Sequence, residues 1–370
     1  MGHWYSSCKS NYPFPKNDRQ NLPIEMKLVN KKSKEELQHT LLKENFARKT
    51  CSFYVYKKIK KRSDLRDEIF STFQKLNILG RVYVSKEGIN AQVSIPEINL
   101  KRFEQKIKKN TFFKNINFNY AVEEGISFFK LTVKVKKQIV AYGVKESEYN
   151  MNEVGQHLEP KDFHKKVDGK KTIVVDVRNY YESEIGKFKN AFCPDVRRSN
   201  EILPAIKEEL KGKEDYKILM YCTGGIRCEK ASSYLIKNNF KNVYQLKNGI
   251  INYAHYVKNN NKTSKFIGKN YVFDHRLGER VTKDILSKCH QCEESSDEHI
   301  NCANDLCHML FIQCKNCQKK YEKCCSKECL EYLKLNEKTK KEKKAFFVSY
   351  IKKRNKGLVK PKLKEIKKTL

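Results

Sequence analysis

Apolar positions along the chain recur in two rhythms, and the change between them divides it. After a short helix expected over 34–46, residues 51–142 alternate β-rich runs with amphipathic ones. Residues 51–56 are aromatic and β-branched and predict a strand. Leu65, Ile69, Phe73 and Leu76 fall three or four apart, which predicts a helix over 64–76 with one apolar face. Gly80 closes it, and 81–84 opens a hairpin that turns at Lys86-Glu-Gly88 into 89–95. A second helix over 97–108 follows, and 128–135 with 138–142 read as a closing strand pair. This layout predicts a small ferredoxin-like (acylphosphatase-like) α+β domain over 49–145, with helices on one face of an antiparallel sheet.

Beyond a polar linker at 145–159 the rhythm becomes that of a parallel sheet. Residues 172–177 and 217–221 are short, almost wholly apolar runs, each followed by a turn and a helix, and 243–246 supplies another. An α/β domain with a parallel sheet is expected over 163–262. A cysteine-rich segment occupies 266–332, and a lysine-dominated tail over 336–370 should be disordered or loosely helical in isolation. Residues 1–48 read as a partly disordered lead-in. Met26 would serve equally well as a start, so the residues before it are assigned no role.

Composition sharpens this picture in three ways. No uncharged apolar run approaches the roughly 20 residues that span a bilayer, and Met1-Gly-His-Trp-Tyr5 lacks the apolar centre of a secretory signal, so a cytoplasmic protein without membrane contact is expected. The formal net charge is +34, from 77 Lys+Arg against 43 Asp+Glu, which suits a polyanionic partner, nucleic acid first. A coding bias that inflates Lys and Asn accounts for the same number, so charge alone decides nothing. Of 14 cysteines, nine lie between Cys289 and Cys329, which is metal-site behaviour rather than a disulfide scaffold.

Within that segment Cys289-His-Gln-Cys292 and Cys314-Lys-Asn-Cys317 are Cys-x2-Cys knuckles. Cys302 with Cys307, and Cys325 with Cys329 beside Cys324, make two further pairs. First with third and second with fourth gives two interleaved tetrahedral sites for structural zinc, with His290, His299 and His308 as spare ligands. Reduced cysteines packed as small hydrophobes are the competing reading.

The strongest chemical signal is Tyr221-Cys-Thr-Gly-Gly-Ile-Arg-Cys-Glu-Lys230. A buried strand delivers Cys222 to a tight loop of Thr223, Gly224, Gly225, Ile226 and Arg227, and a helix follows from near Glu229. Glycines let successive N–H groups turn towards the sulfur, and the helix N-terminus adds partial positive charge; both favour thiolate. Cys-x4-Arg is one residue shorter than the phosphatase loop, which disfavours phosphate chemistry. Arg227 can steer an anion or hold the loop's shape. Cys228 can resolve a persulfide or simply pack. An enzymatic role requires the Cys222 sulfur to titrate below an ordinary thiol and to lie open to an incoming group.

Asp176-Val-Arg178 at a strand end, then Glu182, Gly186 and the Cys222 loop, resemble a rhodanese domain. In that family Asp176, Arg178 and Glu182 correspond to residues that tie the sheet edge to its loops, and Cys222 to the active-site cysteine. Gly80-Arg-Val-Tyr-Val-Ser-Lys-Glu-Gly-Ile-Asn-Ala91, Met220-Tyr-Cys-Thr-Gly-Gly-Ile-Arg-Cys-Glu-Lys-Ala231, Phe266-Ile-Gly-Lys-Asn270, Val272-Phe-Asp274 and Gly278-Glu-Arg280 stand in order ahead of the knuckles. Over about 26–335 the chain resembles the bacterial tRNA uridine-34 hydroxylases. The resemblance implies oxygen-dependent formation of 5-hydroxyuridine at the wobble position, with molecular oxygen as co-substrate and the tRNA anticodon loop as partner. No flavin, nicotinamide or iron-binding motif is recognisable. The residues alone point instead to persulfide sulfur transfer, and a noncatalytic RNA- or zinc-binding adaptor is the third class.

Overall fold

The computed structural model describes residues 33–110, 112–113 and 116–355; the expected lead-in before 33 and the tail after 355 lie outside them. Helix α1 (Lys34–Leu42) begins at Ser33, whose Oγ accepts from the Glu36 amide while Glu36 accepts from the Ser33 amide. It stops short of the expected Phe46. The first domain follows as β1 (Arg48–Tyr56), α2 (Arg62–Lys75), β2 (Leu79–Ser85), β3 (Gly88–Pro96), α3 (Leu100–Lys109), β4 (Asn119–Tyr120) and β5 (Leu131–Val135). The sheet order β4-β1-β3-β2-β5 is the ferredoxin-like arrangement with a fifth strand parallel to β2.

Strand alternation gives this sheet two different faces. Cys51, Phe53, Val82, Val84, Ala91 and Val93 point to one side, where Ile69, Phe70 and Phe73 of α2 and Phe103 and Ile107 of α3 complete the core. Ser52, Tyr54, Tyr56, Arg81, Tyr83, Asn90 and Gln92 occupy the other side, which the second domain covers.

The expected closing strand pair is corrected by the structure. Only 131–135 of it is a strand, and it runs parallel to β2 rather than into a hairpin. The segment 138–142 leaves the sheet because Glu87 captures the Ile139 amide at 2.7 Å. Val140, Tyr142, Val144 and Tyr149 then enter the core of the second domain. The linker at 145–159 is not free either. Ser232 Oγ accepts from the Gly155 amide at 2.8 Å, and the linker supplies β6 (Gln156–Leu158) to the next sheet.

That sheet is wholly parallel, in the order β6-β10-β9-β7, with β7 (Thr172–Asp176), β9 (Lys217–Tyr221) and β10 (Asn242–Leu246). Around it lie α4 (Pro160–Lys166), α5 (Tyr180–Ser183), β8 (Gly186–Phe188), α6 (Ile202–Glu209), α7 (Ile226–Lys237) and α8 (Gly249–Asn259). One face packs Val175, Ile218 and Met220 on Ile202, Leu203, Ile206, Ala231 and Leu235; the other packs Val174, Leu219 and Tyr221 on Phe163, Ile250 and Tyr253. Next, β11 (Phe266–Asn270) bridges β8 and β12 (Glu279–Arg280). The cysteine-rich region adds a hairpin of β13 (His299–Asn301) and β14 (Leu310–Ile312), α9 (Lys315–Lys320) and α10 (Lys327–Lys334).

The lysine-rich tail departs from expectation. Residues Glu337–Arg354 form a continuous helix, α11, started by Asn336, whose side chain accepts from the Thr339 amide. Phe347, Ile351 and Arg354 share one face and are buried, with Phe347 stacked on Tyr332 at 4.2 Å. Lysine blocks on both sides hide this short apolar stripe in any compositional reading. No helix among the described residues is long and apolar enough to cross a membrane.

Between the first two domains stands a buried ion pair. Lys230 of α7 has a fully buried side chain and donates to Glu87 at 2.9 and 3.1 Å and to the Val140 carbonyl at 2.9 Å. Removing one partner strands a charge away from water. Glu87→Ala is expected to cost about 3–5 kcal/mol in denaturant unfolding, and Glu87→Ala with Lys230→Met to recover much of that loss. A single mutant as stable as the unsubstituted protein would show the pair to be solvated.

Candidate active site: a thiolate loop under a sheet face

Cys222 sits where β9 ends, and the loop that follows is held from behind. Its carbonyl accepts from the Ile250 amide at 3.0 Å, and that of Thr223 from the Ile251 amide at 3.2 Å, both donors at the start of α8. Gly249 permits this approach: with φ +65° it lies in the left-handed region, and a Cβ there would come within 2.4 Å of the Cys222 carbonyl oxygen. The next carbonyl, that of Gly224, also turns outward, to accept from Asn119, and the amide of its own peptide plane turns in. The Gly225 amide donates to Cys222 Sγ at 3.1 Å, and Gly225 itself holds φ +97° as the residue before α7.

Burial alone would push the Cys222 thiol up. The Cys228 thiol, the positive charge of Arg227 and the amides of Arg227 and Cys228 together outweigh it and bring its pKa down to about 6. Cys228 moves the other way: burial and its hydrogen bond to Cys222 keep it a thiol well above the usual range. It is therefore a donor to the thiolate.

Arg227 makes a two-pronged ion pair with Glu182, at 2.6 and 2.8 Å, and donates to Thr223 Oγ1 at 3.1 Å. Glu182 is fully buried, and burial opposes its ionisation, but Arg227 holds its carboxyl below the usual range. Of the two roles open to Arg227, holding the loop's shape is the one these contacts perform. Asp176 and Arg178 form a second buried pair, in which Arg178 also donates to the Gly186 carbonyl at 2.6 Å and ties the end of β7 to β8.

Over the loop lies the face of the first domain's sheet that its own helices leave free. Tyr54 donates to Glu229 at 2.8 Å, Tyr56 to the Ile226 carbonyl at 3.2 Å, and Asn119 to the Gly224 carbonyl at 3.2 Å. Glu229 also meets His157 at 2.9 Å and Gln245 at 3.1 Å. Where this face and the loop diverge they enclose a cavity of about 320 Å³. Ser52, Tyr54, Arg81, Tyr83, Asn90 and Gln92 wall it from the sheet, Thr223, Gly224, Ile226 and Arg227 from the loop, and Val140, Tyr142, Ile202 and Phe273 from the sides. Among the described residues no protein group bonds the carboxamides of Asn90 and Gln92.

The sheet wall was not foreseen from the sequence. Its signal was present in the alternation: Ser52, Tyr54, Asn90 and Gln92 are the polar or amphipathic positions of strands whose other face is pure core. One expectation is overturned. Cys222 does not lie open; it is 0% exposed, within the core formed with Tyr142, Val177 and Cys228. The cavity reaches the outer side of its loop but not its sulfur.

The cysteine-rich region brings its sulfurs into two groups of four. Cys289, Cys292, Cys314 and Cys317 form one, and Cys302, Cys307, Cys325 and Cys329 the other, each with all sulfurs within 4.8 Å of one another. Cys292 and Cys314 are 3.5 Å apart; Cys307–Cys325 and Cys325–Cys329 are each 3.6 Å. A tetrahedron of thiolates around zinc has edges of about 3.8 Å, so the donor set and spacing fit that ion. The spare histidines are not drawn in: His290 bonds Glu184, and neither His299 nor His308 joins a group. Cys324 also stands outside both.

Comparison with known proteins accounts for nearly the whole described chain. Residues 48–139 match the UPF0176 acylphosphatase-like domain, 159–255 the rhodanese-like domain and 267–330 the rhodanese C-terminal domain. A protein of Leptospira interrogans named tRNA uridine(34) hydroxylase is 45% identical over 334 residues, covering 90% of this chain and 91% of its own. Proteins of the same name from Photorhabdus laumondii and Yersinia enterocolitica are 42% and 43% identical, each over 86% of this chain and 91% of their own.

The electrostatics of the loop can be tested directly. Ultraviolet titration of the Cys222 thiolate is expected to show a midpoint near 6. Ionisation then favours the folded state above the usual thiol range, and that contribution is lost as pH falls through about 6. Cys228→Ala removes a donor and should raise the midpoint, whereas Cys228→Ser, which keeps one, should raise it less. An unsubstituted protein titrating in the ordinary thiol range would contradict this account.

Proposed function

The chain belongs to the family of tRNA uridine(34) hydroxylases, and from that premise we propose how it acts. It is an enzyme that hydroxylates the uridine at position 34 of tRNA, and Cys222 is its reactive group. The observation that carries this reading is a cysteine held ionised near neutral pH behind one wall of a base-sized cavity.

In this reading the wobble base leaves the anticodon loop, where it is already single-stranded and cheap to unstack, and enters the cavity. Tyr83 and Phe273 offer aromatic faces, and Asn90 and Gln92 offer unengaged donors and acceptors to the base edge. The Cys222 thiolate adds to C6 of the uracil ring, forming an S–C6 bond and moving charge towards O4. C5 then attacks molecular oxygen, the co-substrate, to give a C5 hydroperoxide. An external two-electron donor of the thiol class and two protons reduce the O–O bond, releasing water and leaving a C5 hydroxyl. Loss of the C5 proton then expels Cys222 as thiolate and yields 5-hydroxyuridine. Because the sulfur is covered, base entry must displace the loop's outer wall before the S–C6 bond can form.

Zinc in each four-cysteine group would cross-link a segment with little apolar core and supply no reacting position, since protein sulfurs fill all four. Metal analysis of protein purified without chelator is expected to find two equivalents, one per group. Less than about a tenth of an equivalent would remove the idea.

Mass spectrometry of tRNA nucleosides tests the activity. In a strain lacking this protein, 5-hydroxyuridine should return with the unsubstituted chain and not with Cys222→Ala; Asn90→Ala with Gln92→Ala should restore it only in part. Full restoration by Cys222→Ala would sink the role of the thiolate. Loss and recovery of a 2-thio mark instead would replace hydroxylation by sulfur transfer.

A further inference from the structure

Helix α11 carries its anchor on one side, and four of its seven lysines stand on the other. Its buried face consists of Phe347, Ile351 and Arg354. Arg354 lies with its guanidinium against the second four-cysteine group, 3.1 Å from Cys307 Sγ, 3.4 Å from Cys325 Sγ and 3.8 Å from Cys329 Sγ, and donates to Ser326 Oγ at 3.0 Å. Residue spacing places Lys338, Lys341, Lys352 and Lys353 on the far side, all exposed, and Phe346 beside them is 76% exposed.

We propose that Arg354 locks this helix onto the metal-loaded second cysteine group, and that the docked helix presents its lysine ridge to the phosphate backbone of the tRNA. The inference rests on the tRNA-modifying reading above and on metal in that group. Four thiolates around one divalent ion leave a net double negative charge, and a planar guanidinium with several donors is suited to offset it at more than one sulfur. Phe347 and Ile351 pack into a buried cluster with Met309, Phe311 and Tyr332, and the Tyr332 hydroxyl donates to the Lys340 carbonyl, so apolar contact seats the helix. Without the ion the sulfurs lose their shared negative charge, and the buried Arg354 guanidinium loses the counter-charge that makes docking favourable. Once docked, the helix presents a broken row of positive charge about 22 Å long, with Lys338 and Lys341 towards one end, Lys352 and Lys353 at the other, and Glu342, Ala345 and Ser349 between them. Its acidic residues are only Glu337 and Glu342, and Glu337 is engaged with Lys340. An exposed aromatic side chain next to such a row suits contact with an unpaired base.

The test uses the full chain and unmodified tRNA. Hydrogen exchange across 337–354 should be slow in the metal-loaded protein and fast after zinc is removed by a strong chelator. Chelation could unfold the whole segment, so Arg354→Gln is the sharper variant: it should free the helix while both equivalents of zinc remain bound. Filter binding to tRNA should weaken by about tenfold or more for Lys338→Gln/Lys341→Gln/Lys352→Gln. The slope of log affinity against log salt should fall by about 2 for that variant. Arg354→Gln should weaken binding in the same direction. Slow exchange retained in Arg354→Gln would overturn the lock, and unchanged affinity of the lysine variant would overturn the surface. The 5-hydroxyuridine measurement stands apart from both: its failure would remove the hydroxylase reading, while exchange and binding still decide the role of the helix.

Discussion

Hydrogen bonds to three successive carbonyls at the back of a loop govern the chemistry at its front. A peptide plane cannot turn its carbonyl and its amide the same way, so fixing one fixes the other. The first amides of α8 have no partner within their own helix and take the carbonyls of Cys222 and Thr223. In the next peptide plane the Gly224 carbonyl is turned away to accept from Asn119, and the Gly225 amide of that plane donates to the sulfur. Gly249 makes room for the carbonyls and Gly225 makes the turn. A helix end and a strand end thus solve each other's unsatisfied groups, and an ionised sulfur is the by-product.

The first domain completes this arrangement. A ferredoxin-like sheet with helices on one side has a second face to cover, and here the cover is the half of the neighbouring domain that carries the Cys222 loop. Tyr54, Tyr56 and Asn119 each bond the loop or the first turn of its helix, while Glu87 reaches Lys230 one turn further along. Glu87 also releases 138–142 from the sheet, which lets Val140 and Tyr142 join the second core and wall the cavity. One carboxylate therefore helps to lock the domains and to shape the space between them. Neither domain makes this cavity alone.

What could be read in advance followed from how local each feature is. The Cys222 loop is six consecutive residues with a glycine pair, and the cysteine pairs are three to five residues apart, so both are visible as strings. The cavity wall is not a string: Ser52, Arg81 and Gln92 come from three strands and meet only through register, Ser52 opposite Gln92 and Gln92 opposite Arg81. Residues 138–158 read as a strand and a linker because their partners, Glu87, Ser232 and Tyr244, lie far away in sequence. The docked tail was hidden for a different reason. Phe347, Ile351 and Arg354 are three buried positions among eighteen, and charge dominates any average over them. The covered state of Cys222 could not be foreseen from its loop, because the cover belongs to the core and to another domain.

Burial and a low pKa at one sulfur look contradictory, since taking a charge out of water normally favours the neutral form. The conflict resolves once the neighbouring charges are counted. Arg227 is the nearest cation, but Glu182 grips its guanidinium with both oxygens, so the pair is close to neutral as seen from the sulfur. The sulfur is ionised first by the Cys228 thiol, which burial keeps protonated, then by the Arg227 charge and by the amides of Arg227 and Cys228. Such a site keeps its charge beside a cation that is itself already paired. In the proposed reaction a base that opens the wall meets an anion held largely by oriented hydrogen bonds, which can be given up one at a time as a new bond to the sulfur forms.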